Sequence, residues 1–107
     1  MAKYLVSGNY LGGAGVQGLV KEGGSGRVEA IKKLVKSAGG KVDSVYYAFG
    51  EYDIYVIADL PDNGAAAALA LAVNSTGVVS VRTTVLMTPA EVDEAVKKTI
   101  SYRKPGA

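Results

Sequence analysis

The sequence contains no cysteine and no histidine. Without thiols the chain can form no disulfide bond and offers neither a thiolate nucleophile nor a thiolate metal ligand. Without imidazole it can build no Ser-His-Asp or Cys-His catalytic centre and no imidazole metal site. We therefore expect no metal and no cofactor, and the chemistry that stays open rests on carboxylates, tyrosines and arginines.

Charge of one sign and long apolar runs are also scarce. Twelve basic and ten acidic residues leave a net charge of +2 over 107 residues, which does not favour a nucleic-acid partner. The uncharged stretch at residues 64–81 is interrupted by polar Asn74–Gly77 and falls short of the ~20 apolar residues of a membrane span. The N-terminus lacks the apolar core of a signal peptide. We predict one domain over residues 1–107 in the cytoplasm, with no membrane partner.

The residue patterns predict four strands and three helices. Runs rich in β-branched and aromatic residues indicate strands at Lys3–Tyr10, Lys41–Phe49, Tyr52–Leu60 and Val78–Met87. Helical spacing, an alanine-rich run and a Thr-Pro-Ala-Glu capping sequence indicate helices at Ser25–Ala38, Gly64–Asn74 and from Pro89 to about Ile100.

This order of elements is β-α-β-β-α-β with an additional C-terminal helix. It predicts an α+β, ferredoxin-like fold, in which a four-stranded antiparallel sheet carries its helices on one face. Right-handed crossovers would place the first and third strands in the middle of the sheet, and we expect those two strands to be parallel to each other.

Eight of the fourteen glycines lie within residues 8–26. The segment Gly13–Gly18 matches the G-x-G-x-x-G pattern of dinucleotide-binding turns. However, Gly23 and Gly24 interrupt the following stretch, and the acidic residue expected about 20 positions later is replaced by a basic helix. We predict a mobile loop or a lid over a pocket here, with a short helical turn around residues 16–20.

Strand alternation divides each predicted strand between two faces of the sheet. The third strand directs Ile54, Val56, Ala58 and Leu60 toward the helices. The opposite face would carry apolar residues from all four strands, including Leu5, Val42, Ile57, Val78 and Leu86. An apolar patch of that extent implies a partner, and the simplest is a second copy of the chain packed sheet to sheet. The alternative is a polar monomer surface with scattered apolar residues.

The same uncovered face would bring together five polar and aromatic residues, which we identify as candidate ligand-binding residues: Asn9, Tyr46, Asp53, Tyr55 and Arg82. Arg82 could pair with a ligand carboxylate, and Asp53 or a tyrosine could move a proton. In the alternative interpretation, Arg82 and Asp53 neutralise each other inside an oligomer interface.

The segment Tyr46–Asn63, which contains Gly50-Glu51-Tyr52-Asp53, resembles the GYD domain family. Other segments share the resemblance: Gly8–Tyr10, Lys21–Ser25 leading to Arg27, Gly39–Lys41 and Arg82–Glu91. The resemblance covers nearly the whole chain. Arg27, which follows the matching segment Lys21–Ser25, is the sixth candidate ligand-binding residue.

The resemblance implies a homo-oligomeric protein of the dimeric α/β-barrel type, and it implies no particular activity. By fold analogy, such proteins include cofactor-free oxygenases and small-molecule sensors. Haem-using relatives rely on an axial histidine, which this chain lacks. We therefore expect a homo-oligomer that binds a small molecule near the sheet face. The alternative is a cofactor-independent enzyme, oxygenase-like or isomerase-like, in which Arg82 stabilises an enolate-like charge.

Overall fold

A computed structural model describes all residues from 1 to 107, with four strands in one sheet and three helices. In chain order the elements are β1 (Ala2–Tyr10), α1 (Gly12–Ser37), β2 (Lys41–Tyr47), β3 (Ile54–Leu60), α2 (Asn63–Asn74), β4 (Val79–Leu86) and α3 (Pro89–Val96). None of the three helices combines the length and the apolar character that crossing a membrane requires.

The strand order is β2-β3-β1-β4, and every neighbouring pair is antiparallel. The ferredoxin-like fold is therefore confirmed, with β1 and β3 in the middle of the sheet. The expectation that β1 and β3 are parallel is wrong. The crossover through α1 makes β1 and β2 parallel, and the β2–β3 hairpin then reverses the chain, so β3 must run against both of its neighbours.

The glycine-rich segment is helical, which corrects the prediction of a loop. Helix α1 begins at Gly12 and is interrupted only at Gly23, whose φ of 74° and ψ of 166° produce a kink. Such a positive φ favours glycine because a Cβ atom would clash there. The start of the helix lies close to Val78, the residue before β4: the Leu11 N–H donates to the Val78 carbonyl (2.8 Å), and Gly15 is buried against it. That tertiary contact stabilises a helix that the glycine content disfavours.

Gly15 shows that one glycine of the G-x-G-x-x-G pattern serves packing. It is buried, and a Cβ atom at this position would overlap the carbonyl oxygen of Val78. Gly13 and Gly18 face open space. The pattern therefore lies within a helix that approaches a strand closely, and it does not form a phosphate-binding turn between a strand and a helix.

The core lies between one face of the sheet and helices α1 and α2. Helix α1 packs mainly over β2, and α2 packs mainly over β4. The Tyr4 hydroxyl donates to the Asn63 side-chain oxygen at 2.6 Å, which joins β1 to the start of α2. The buried apolar residues are Tyr4, Val6, Ile31, Val35, Ile54, Val56, Ala58, Leu60, Ala66 and Leu69.

The predicted faces of β3 and β4 agree with the structure, whereas β2 contains an irregularity that the pattern missed. The register shifts between Val42 and Ser44, so one extra residue interrupts the alternation. Val42 pairs with Ala58 and packs against the core. Placing Val42 on the uncovered face was therefore wrong, while Ser44 and Tyr46 lie there as predicted.

We expect Gly15→Ala to lower the free energy of unfolding by about 1–3 kcal/mol, because the added methyl group forces α1 away from β4. Gly18→Ala is the matched control in the same helix. It should leave stability unchanged or raise it by up to about 1 kcal/mol, since nothing lies within 4 Å of the new atom. Urea denaturation followed by circular dichroism measures the free energy of unfolding of both variants. Equal effects of the two substitutions would contradict the close packing of α1 on β4.

Candidate functional site

The uncovered face of the sheet places three of the candidate residues in one row. Tyr46 on β2 pairs with Tyr55 on β3, Tyr55 pairs with Ser7 on β1, and Ser7 pairs with Arg82 on β4. Directly paired side chains lie within contact distance on one face of a sheet. Arg82 is exposed and belongs to none of the ion pairs of the chain. The structure therefore brings Tyr46, Tyr55 and Arg82 onto one row.

The two remaining members of that set, Asn9 and Asp53, serve a different purpose. The Asp53 carboxylate accepts a hydrogen bond from the backbone N–H of Tyr10 (2.9 Å), and the Asn9 side-chain oxygen accepts one from the Asp53 N–H (3.1 Å). These bonds hold the loop between β2 and β3 against the end of β1. Asp53 and Arg82 form no ion pair within the chain, so the predicted mutual neutralisation is absent from a single copy.

The rest of the uncovered face mixes apolar and paired charged groups. Leu5, Ile57 and Leu86 are half-buried by their neighbours on the sheet. Lys3 lies between Asp59 and Asp43, at 3.1 Å from each. The hydrogen bond to Asp59 raises the pKa of Lys3 most, and the hydrogen bond to Asp43 raises it further. Because helices α1 and α2 lie on the opposite face, no helix of the chain covers these apolar side chains.

Arg27 lies just after the kink of α1. Its Nη1 donates to the Glu22 carboxylate (3.1 Å), and its side chain is 28% exposed. The Nε atom is out of contact with solvent and has no hydrogen-bond partner. Burial alone would lower the pKa of Arg27, but the bond to Glu22 and the neighbouring Tyr10 hydroxyl raise it. The guanidinium is therefore charged, and one buried donor is unused.

Tyr47 lies beside this arginine. Its hydroxyl donates to the Gly24 carbonyl (2.9 Å), which ties β2 to the kink of α1. Burial, and secondarily the neighbouring Tyr10, raise the pKa of Tyr47 above 10.0, although Arg27 opposes the shift. At neutral pH Tyr47 is therefore a phenol that donates a hydrogen bond.

Tyr10 lines two cavities. The inner cavity has a volume of about 60 Å³ and lies between α1, α2 and the central strands, with Arg27 as the only charged residue in an otherwise mainly apolar lining. The outer cleft has a volume of about 370 Å³ and lies between the first half of α1 and the β2–β3 loop. Val16, Leu19, Tyr47, Phe49 and Asp53 line it, together with Tyr10.

Small-molecule sites usually have volumes of about 300–1,000 Å³ and apolar walls with few polar groups. The outer cleft meets both conditions, and the Asp53 carboxylate in its wall is already bonded to the Tyr10 N–H. Sequence reasoning missed Tyr10 and Tyr47. One signal for Tyr10 was available, because it shares the alternation of Tyr4 and Val6 and so belongs to the helix side of β1.

We expect Asp53→Ala to lower the free energy of unfolding by about 1–3 kcal/mol, because it removes the acceptor for the Tyr10 N–H. Asp43→Ala is the control, since its carboxylate binds only Lys3, which keeps Asp59 as a partner. That substitution should leave stability nearly unchanged. Thermal unfolding of the wild-type protein and both variants measures how much stability each substitution removes. Normal stability of Asp53→Ala with a loss of ligand binding would assign Asp53 to the ligand instead.

The family model of the GYD domain matches residues 4–96. No curated protein and no solved structure shows significant similarity to the chain. The matched range begins within β1, ends with the last residue of α3, and includes both cavities and the row on the uncovered face. The chain therefore belongs to the GYD domain family.

Proposed function

We propose that this protein is a homo-oligomer that binds a small molecule with an acidic group and an apolar body between the helices and the sheet. The observation that carries the proposal is the position of Arg27. It is the charged residue of the inner cavity, and its Nε donor is buried without a partner.

An unused buried donor is costly, because a polar group removed from water loses its hydrogen bonds. The Nη1 atom of Arg27 is engaged by Glu22, whereas Nε belongs to the edge of the guanidinium that receives a carboxylate side-on with two hydrogen bonds. A carboxylate or a similar anion would satisfy this edge. The apolar walls of the outer cleft would then hold the remainder of the ligand.

The large exposed area of the chain, to which both the sheet face and residues 87–107 contribute, supports the oligomer. The chain exposes 7309 Å², whereas a compact protein of 11.0 kDa exposes about 5,600 Å². The excess of about 1,700 Å² exceeds the ~800 Å² that each partner buries in a typical interface. A second copy packed sheet to sheet would cover Leu5, Ile57 and Leu86. In that assembly Tyr46, Tyr55 and Arg82 face the second copy.

The alternative, a cofactor-independent enzyme, has less support. The Asp53 carboxylate is bonded to a backbone N–H, and the raised pKa of Tyr47 keeps its hydroxyl protonated at neutral pH. Arg82 lies on the opposite face of the sheet from the cavities. No base and anion-stabilising group therefore face one another across a cavity, which is what proton abstraction requires.

We expect 1-naphthoate to bind at least about tenfold more tightly than the neutral 1-naphthalenemethanol, since only the carboxylate satisfies Arg27. Arg27→Gln should abolish this preference. Arg82→Gln, which removes the same charge from the uncovered face, should preserve it. Isothermal titration calorimetry measures the dissociation constants of both compounds for the wild-type protein and the two variants. If Arg82→Gln abolishes the preference and Arg27→Gln does not, the ligand lies on the uncovered face and the cavity site is wrong.

Native mass spectrometry should show an assembly of at least twice the 11.0 kDa mass of one chain. Ile57→Lys should shift it toward single chains, because a lysine would be buried between two apolar sheet faces. Leu71→Lys is the control, since Leu71 lies exposed on α2, away from that face. A monomeric wild-type protein at micromolar concentration would refute the oligomer.

A further inference from the structure

The C-terminal arm, residues 87–107, contains helix α3, which has a complete capping box at its N-terminus but no buried residue. The Thr88 hydroxyl accepts a hydrogen bond from the Glu91 N–H (3.1 Å), and the Glu91 carboxylate accepts one from the Thr88 N–H (2.9 Å). Helix α3 nevertheless has only eight residues and none of them is buried. A helix this short is marginal in water, so its stability requires packing against another surface.

Helix α3 carries an apolar stripe made of Val92, which is 46% exposed, and Val96, which is 76% exposed. Residues four positions apart lie on the same side of a helix, and an apolar stripe on a helix ordinarily faces a core. Ile100, which follows the helix, is 78% exposed. The arm makes no substantial contact with the sheet or with α1 and α2. The stripe is therefore uncovered within its own chain.

The helix layer of the same chain has a gap of matching character. On the side of β4 that faces the helices, Val79 and Val81 are half-buried, whereas Thr83 and Val85 are exposed, Val85 at 56%. A groove of about 270 Å³ lies over this half of the strand, and its lining includes Tyr4, Ala66, Ala67 and Ala70. Alanines present little bulk, so a helix can approach α2 closely here.

The arm of a given chain does not occupy this groove. The chain extends over 56 Å in its longest direction, and its radius of gyration of 16.9 Å exceeds the ~13 Å of a compact domain of this length. We propose that the arm of one copy packs into the α2–β4 groove of a second copy, and that the second copy reciprocates. This exchange rests on the homo-oligomeric part of the proposed function and is independent of its ligand.

Exchange of identical elements between copies is a low-cost route to a dimer, because the contacts are those that the chain would otherwise make with itself. The occupant is a second copy because the helix and the groove, both apolar and both uncovered, belong to the same sequence. Each exchanged arm would cover Val92 and Val96 of one chain together with Thr83 and Val85 of the other.

The absence of native cysteines allows a direct test by disulfide cross-linking of the full-length chain. Val96→Cys protein mixed with Ala67→Cys protein should form a disulfide-linked species of twice the chain mass under mild oxidation. Glu94→Cys is the matched control on the other side of α3 and should not link to Ala67→Cys. Failure of Val96→Cys to link overturns the exchange. So does a link within one chain in the Val96→Cys/Ala67→Cys double variant.

A second measurement separates this proposal from the sheet-to-sheet contact. Val96→Gln should raise the dissociation constant of the assembly by at least about tenfold, because it removes apolar burial. Glu94→Gln should not change that constant. Dissociation by Ile57→Lys without an effect of Val96→Gln overturns the arm exchange and leaves the sheet contact intact. The reverse pair of results supports the exchange and refutes the sheet contact.

Discussion

Both long helices pack on the same face of the sheet, so the core is a single layer with only ten buried apolar residues. A sheet covered on one face must either make its other face polar or bury it against another chain. This chain does neither completely within one copy, since Leu5, Ile57 and Leu86 are only partly buried on the second face. The helices also leave part of β4 uncovered, since Thr83 and Val85 are exposed on the side that faces the helices.

The kink at Gly23 links this architecture to the candidate site. By interrupting α1, it separates a first half, whose start lies close to Val78, from a second half, which contains the buried residues Ile31 and Val35. The hydrogen bond from Tyr47 to Gly24 holds the kink at the sheet, and the Glu22–Arg27 pair bridges it. The space left between the first half of α1 and the β2–β3 loop becomes the outer cleft. Arg27 is thereby partly buried, and its Nε donor is left without a hydrogen-bond partner.

Much of the fold could be predicted because alternation and capping are local signals. The faces of β3, the N-terminus of α3 and the βαββαβ order all followed from neighbouring residues. The extra residue after Val42 could not be predicted, because one inserted residue in a strand leaves no signature in composition. The helical state of the glycine-rich segment was also missed, since its stability comes from contacts with Val78, more than 60 positions away in the sequence.

The sequence by itself determined which chemistries are closed to this protein, because the absence of cysteine and histidine holds in any fold. It also determined the order of the elements and the face of the sheet that Tyr46, Tyr55 and Arg82 share. Only the tertiary structure decided that Asn9 and Asp53 stabilise a loop, that Arg27 has an unused donor, and that α3 lacks a partner. The physical reason is that hydrogen bonding and burial depend on groups distant in the chain, whereas alternation and composition do not.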